Sequence, residues 1–199
     1  MISTKGAKTK VLLYQSALSL FKARGYCNVS VEEIALQAGV AKATFYAYYD
    51  SKIQIAVEMI NEYNEYYWDY FDHLGVAVSA DKKIRKILRE VFRFAEEKVG
   101  IEIVFGLYQF RVSCKPENLF SLKLCDLLYR SLVALIDEGQ RTGIFRREAV
   151  PEALASFAMQ GIRGVIYGWS CHPTATSLIE AGRAYESCFL MLLQTESAI

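Results

Sequence analysis

The sequence predicts an all-α protein of about nine helices, a small three-helix head followed by a larger helical body. Three observations carry this. Apolar residues recur at helical spacing along nearly the whole chain, with no run of β-alternation. Two serine-led patterns, Ser30-Val-Glu-Glu33 and Ser51-Lys-Ile-Gln54, read as capping boxes that open helices. Residues 31–50 combine a small residue, a glycine and apolar anchors at the spacing of a helix-turn-helix.

Each element follows in order. Leu13, Ala17, Leu20 and Phe21 form the inner stripe of a first helix that stops near Gly25, a left-handed stop. Ser30 opens a short second helix over 31–38. A third starts near Ala41-Lys42. Ser51 opens a long fourth helix toward Leu74, Gly75 and Ser79 lie in a connector, and Asp81 is the expected cap of the fifth. There Ile84, Leu88, Val91, Phe94 or Ala95, and Val99 share a face. A sixth segment spans 101–112 and breaks at Lys115-Pro116. A seventh helix is expected over 117–139, followed by a turn between Gly139 and Gly143. Pro151 opens an eighth to Ser170, and the ninth runs from Thr174 to Gln194.

Composition bounds the function. The chain of 199 residues is 53% hydrophobic, enough to bury a sizeable core, and its 3 prolines and 12 glycines exclude a collagenous or disordered chain. Net charge is only +1, but it is unevenly placed. Residues 1–52 carry seven basic and three acidic side chains, and the remainder is net −3. A basic head on a mildly acidic body marks one end as the electrostatic footprint. Cysteines 27, 114, 125, 171 and 188 form no Cys-x-x-Cys pair, and buried reduced thiols are expected. With two histidines in the chain, no metal site and no cofactor is expected. No nucleophile–base set or phosphate-binding glycine loop supports an enzyme. The N-terminal residues lack the apolar run of a signal peptide, and Arg163 interrupts the longest apolar stretch, 153–171. A cytoplasmic protein with no membrane partner is therefore expected.

Within 31–50 each position has a physical reason. Ile34 faces inward, and Ala35 is small where two helices cross. Gly39 sits at the tight turn, where positive φ costs glycine little. Val40 plugs the turn, and Phe45 anchors the third helix, which would enter a DNA major groove.

The stretch VLLYQSALSLFKARGYCNVSVEEIALQAGVAKATFYAYYDSK resembles the DNA-binding head of TetR-family (tetracycline-repressor-like) transcriptional regulators. The matching pieces include Ala17, Leu20-Phe21, Gly25-Tyr26, Ser30-Val31, Ile34-Ala35, Ala38-Gly39-Val40, Thr44-Phe45-Tyr46 and Ser51-Lys52. The resemblance implies a helix-turn-helix DNA-binding domain over 1–50 and an effector-binding and dimerisation domain over 51–199. It implies that Lys42, Ala43 and Thr44 face base edges and nearby phosphates. Tyr46 and Tyr48 would direct hydroxyls at phosphates, Lys52 would bind a phosphate, and Ser30 would cap the second helix. Ala41 stands where a capping serine is common, Ala43 replaces a frequent glycine, and Tyr48-Tyr49 replaces a common His-Phe pair.

In the body, Gly161, Gly164 and Gly168 line one face of the eighth helix, where another helix can approach closely. Leu178, Tyr185, Phe189 and Leu192 make a similar stripe on the ninth. These residues alone fit either a dimer seam or packing within one subunit. The resemblance favours the seam and implies a homodimer on a double-stranded DNA operator, most simply a repressor released by a small lipophilic or aromatic effector. The candidate effector wall is Tyr67, Phe71, Phe105 and Tyr108, with Gln109, Arg130 and Arg163 as polar contacts. Plain aromatic core, and an architectural DNA-binding protein without effector, are the competing readings.

Overall fold

The computed structural model describes residues 4–72, 78–113, 123–172 and 176–194. These residues form nine α-helices, with no strand among them. The helices are α1 (Thr4–Arg24), α2 (Val31–Gln37), α3 (Lys42–Tyr46), α4 (Lys52–Asp72), α5 (Ala80–Phe94), α6 (Ile101–Ser113), α7 (Lys123–Arg141), α8 (Pro151–Cys171) and α9 (Leu178–Leu193). The helices expected from the sequence are present. The segments around Gly75, Lys115-Pro116 and Thr174, and the expected start of the seventh helix, lie outside the described residues.

Local chemistry sets the boundaries, and in three places it differs from the expectation. The fourth helix does not form its Ser51–Gln54 capping box. The Gln54 amide reaches one residue further back, accepting from the Asp50 N–H at 2.8 Å and donating to the Asp50 carboxylate at 2.8 Å. That satisfies two groups of Asp50 at once and leaves the buried Ser51 hydroxyl without a partner. Asp81 is not the cap of α5. Ser79 holds that position without a side-chain bond, and Asp81 lies in the first turn, where its charge meets the positive helix end. Between α5 and α6 the chain also makes a π-helical turn, Ala95–Val99, closed by Gly100 at φ 79°. From it the Glu96 carboxylate accepts the Ile179 N–H of α9 at 2.9 Å.

Two apolar clusters hold the helices. One joins α5, α7, α8 and α9 around Ile84, Leu88, Phe92, Leu132, Ile136, Phe145, Ala158 and Phe189. The other begins in the head with Leu13, Ala17, Val29, Ile34, Phe45 and Tyr49. It continues through Ile53, Ile55 and Ile60 of α4 into Phe94, Val99, Ile103, Val104 and Leu127. The head is thus bonded by apolar surface to the body as well as by chain. Among the described residues one charged group lies deep in the body. Glu186 of α9 is buried, and Arg85 and Arg89 of α5 reach it from the rim.

The cysteines are not a buried set. Cys27, Cys171 and Cys188 are exposed and Cys125 is half-buried. Cys171 and Cys188 occupy outward positions of α8 and α9, Cys27 lies in the turn after α1, and Cys114 lies outside the described residues.

Candidate nucleic-acid interface

The head is built from a cap, a turn and one buried ring. Ser30 has the extended backbone of a helix cap, φ −94° and ψ 160°. Its hydroxyl oxygen accepts the Glu33 N–H at 3.2 Å, and the Glu33 carboxylate accepts the Ser30 N–H and hydroxyl, each at 2.8 Å. Arg24 at the end of α1 donates to the same carboxylate at 2.6 Å. The backbone bond to Ser30, then the Arg24 and Ser30 side chains, hold the Glu33 pKa down to about 2. A depressed carboxylate contributes stability above its unfolded pKa, and that contribution is lost as pH falls through the folded value. An NMR titration of Glu33 is therefore expected to give a midpoint near 2, with fraying of α2 confined to the same acid range. A midpoint in the ordinary carboxylate range would mean the cap is open in solution.

Gly39 turns the chain at φ 69°, and Val40 donates its N–H to Ala35 at 2.9 Å. Five residues later Phe45 is wholly buried, its ring 5.5 Å from Tyr46 and 5.6 Å from Tyr49. Ala41 caps α3 by backbone alone. The five-residue helix is therefore held chiefly by Phe45, which turns the Lys42-Ala43 face outward.

The sequence-expected contact residues fall in distinct environments. Lys42, Ala43 and Tyr46 are exposed, Thr44 and Tyr48 are half-buried, and Tyr48 packs on the head cluster. Lys42 forms an ion pair with Glu32 of α2 that holds its pKa up, and its ammonium lies 6.0 Å from the Tyr46 ring. Tyr49 points inward and donates to Glu58 of α4 at 3.1 Å, while Lys10 of α1 donates to the same carboxylate at 3.0 Å. Tyr14 donates to Glu62 at 2.5 Å, so α1 is clamped to α4 twice.

Lys52 is engaged inside the chain. Its ammonium donates to the carbonyls of Tyr26 and Val29, each at 2.8 Å, and lies 4.3 Å from the Tyr26 ring centroid. Burial lowers its pKa. From the body, Glu102 accepts the Cys27 N–H at 2.9 Å. Gly25, at φ +80°, leaves room for that carboxylate, since a Cβ there would stand 2.8 Å from its oxygen. The turn 25–29 is thus gripped from α4 by Lys52 and from α6 by Glu102.

Beside this joint lies a cleft of about 710 Å³. It brings Phe105, Tyr108 and Gln109 of the expected effector wall together with Tyr26, Lys52 and Tyr167. Arg163 offers its carbonyl to the Tyr108 hydroxyl at 2.9 Å, and its side chain is exposed, as is Arg130. Tyr67 and Phe71 belong to α4, but their side chains lie outside the described residues.

On α8 and α9 the expected seam residues divide. Leu178 and Phe189 are buried in this chain's own core. Tyr185 fills the space above Gly161, donates to the Ala158 carbonyl at 2.9 Å and stacks on Phe189. A periodic stripe tells which residues share a face and not which partner covers it; here the covering helix is in the same chain. Gly164 and Gly168 stay open, beside exposed Tyr167, and Met191 and Leu192 are exposed on α9.

The sequence reading missed Glu32, Glu102 and Glu186. Glu32 had a local signal, lying beside the cap and facing the turn; the other two find their partners only in three dimensions.

A three-helix head with an outward-facing third helix, carried on a helical body, defines a helix-turn-helix regulator. Residues 13–59 match the model of bacterial regulatory proteins, tetR family. Over 162 residues, 77% of this chain and 78% of that protein, the sequence is 24% identical to the HTH-type transcriptional repressor DhaR of Mycobacterium sp. strain GP1. The fold is similar to that of Thermus thermophilus FadR, a TetR family repressor solved with lauroyl-CoA. That match has a TM-score of 0.75 at 14% identity, over 95% of this chain and 97% of that one. RolR, solved with resorcinol, has a TM-score of 0.66 at 18% identity, over 98% and 91%. Residues 13–59 are thus a TetR-family DNA-binding head, and the whole chain has the fold of the TetR-family structure it resembles. Among the described residues no helix is long and apolar enough to cross a membrane.

Proposed function

We propose that the chain acts as a homodimeric repressor that reads a two-fold symmetric operator and is released by a small lipophilic or aromatic effector. Residues 1–50 are the DNA-binding unit and 51–199 the effector and dimer unit in this reading. The observation that carries it is the α2–α3 arrangement, in which buried Phe45 turns Lys42, Ala43 and Tyr46 outward. Two heads on a two-fold axis would meet half-sites about 34–36 Å apart in successive major grooves. The exposed stripe of Gly164, Gly168, Met191 and Leu192 supports pairing through α8 and α9. The lauroyl-CoA of the Thermus protein and the resorcinol of RolR support an effector with an apolar or aromatic part.

The Lys42–Glu32 pair sharpens the test. Lys42→Ala is expected to weaken binding to the protein's own promoter DNA and to reduce the salt slope by about one per subunit. Tyr46→Phe should weaken it further by removing a hydroxyl donor. Glu32→Gln removes a carboxylate beside the reading tip and frees Lys42, so it should tighten binding about two- to five-fold. The reading fails if fluorescence anisotropy finds DNA affinity unmoved in all three variants.

A further inference from the structure

The cleft at the head–body joint has a chemistry of its own. Its described lining falls into two walls. One is the head turn and the start of α4, with Tyr26, Cys27, Lys52 and Ile53. The other is the outer face of α6, joined by Tyr167 of α8. At about 710 Å³ the cleft lies within the roughly 300–1,000 Å³ range of small-molecule sites.

Charge and surface both restrict what could fill it. Lys52 is the one ionised side chain among the described lining residues at neutral pH, and no carboxylate stands with it there. Its two bonds to the Tyr26 and Val29 carbonyls leave one of its three N–H donors uncommitted to an oxygen, beside the Tyr26 ring 4.3 Å away. Outside the lining, the Glu102 and Glu33 carboxylates act on the Lys52 ammonium; Glu102 accepts the Cys27 N–H, and Glu33 accepts from Arg24 and from the Ser30 N–H. The α6 wall exposes apolar surface, with Phe105 39% and Val112 87% exposed. Tyr108 and Tyr167 meet edge to face with centroids 5.1 Å apart, making a rigid aromatic corner.

We propose that this joint cleft is a binding site for a small aromatic anion, its ring against Phe105, Tyr108 and Tyr167 and its anionic group toward Lys52. The occupant bridges α6 to the turn that Glu102 and Lys52 grip, so it sets how firmly the head is held to the body. That consequence for operator binding rests on the repressor reading; the binding itself does not.

The test is calorimetric titration of the full chain, without DNA, using 2-naphthoate and its neutral counterpart naphthalene-2-carboxamide. The carboxylate should bind saturably and about ten-fold tighter than the amide. Gln109→Glu, a change at an exposed lining position, places a like charge in the cleft and should weaken 2-naphthoate by about ten-fold while sparing the amide. Lys52→Met should erase the preference for the carboxylate; because it also releases two carbonyls, its fold is checked by circular dichroism. Inorganic phosphate should fail to displace 2-naphthoate at equal concentration. The proposal is overturned if no saturable binding occurs, if Gln109→Glu leaves 2-naphthoate affinity unchanged, or if phosphate competes equally. A loss of DNA binding in the Lys42 variant with intact 2-naphthoate binding would separate the two readings.

Discussion

Replacing Arg85 and Arg89 together by methionine is expected to destabilise the protein by about 3–5 kcal/mol, more than replacing the carboxylate they hold. Glu186 is 1% exposed and its two oxygens are both occupied. Arg89 donates to them at 2.8 and 3.1 Å, and Arg85 closes on Oε1. The two guanidiniums keep part of their surface in water, so they rehydrate when the carboxylate is lost. The carboxylate has no such exit when they are lost, and it is left ionised in a dry place or must take up a proton. Glu186→Gln should therefore cost only about 1–2 kcal/mol, the scale of weakened hydrogen bonds to a charged group. Urea denaturation of the two variants decides. Equal losses, or a larger loss for Glu186→Gln, would show that the clamp is not governed by the buried charge.

Phe45→Ala is the second large effect, expected at about 3–5 kcal/mol with loss of DNA binding. The side chain is fully buried, and its ring meets Tyr46 at the end of α3 and Tyr49 in the turn after it. With five residues, no side-chain cap at Ala41 and few internal hydrogen bonds, α3 cannot hold its shape alone. Removing the ring takes away the contact that orients the outward face. Phe45→Leu, which keeps most of the volume, should cost less than about 1.5 kcal/mol and retain binding. Hydrogen exchange would show which amides lose protection. Because the head cluster continues to Val99, Ile103 and Val104, exchange in α6 should rise with that in α1 to α3. Protection unchanged in α6 would mean that the shared cluster carries little coupling.

What was legible in the sequence was local. The Ser30–Glu33 cap, the Gly39 turn and the inward Phe45 each depend on residues a few positions apart, and each formed as read. The Ser51–Gln54 pattern shows the limit of that logic, because Asp50 offered Gln54 two bonds and the box offered one. Contacts that close long loops left no trace in the pattern. Cys27 and Glu102 are 75 residues apart, and Arg85 and Glu186 are 101. Lys52 looked free because a lysine on a helix start usually is; only the fold brings the Tyr26 and Val29 carbonyls beneath it. Of the expected effector wall, Phe105, Tyr108 and Gln109 line one cleft because they lie on one face of one helix, whereas Arg130 lies on another helix altogether.

The fit of Tyr185 over Gly161 has a consequence for how such a regulator diversifies. That notch is filled from within, so a change at Gly161 disturbs the fold of every copy. A Cβ at Gly164 or Gly168 would meet nothing within 4 Å, and Met191 is exposed. In the proposed pairing through α8 and α9, substitutions there would alter which chains pair and leave the buried core of each chain untouched. After gene duplication, sister regulators could drift apart at those positions and stop exchanging subunits, with the inner surfaces of both copies unchanged.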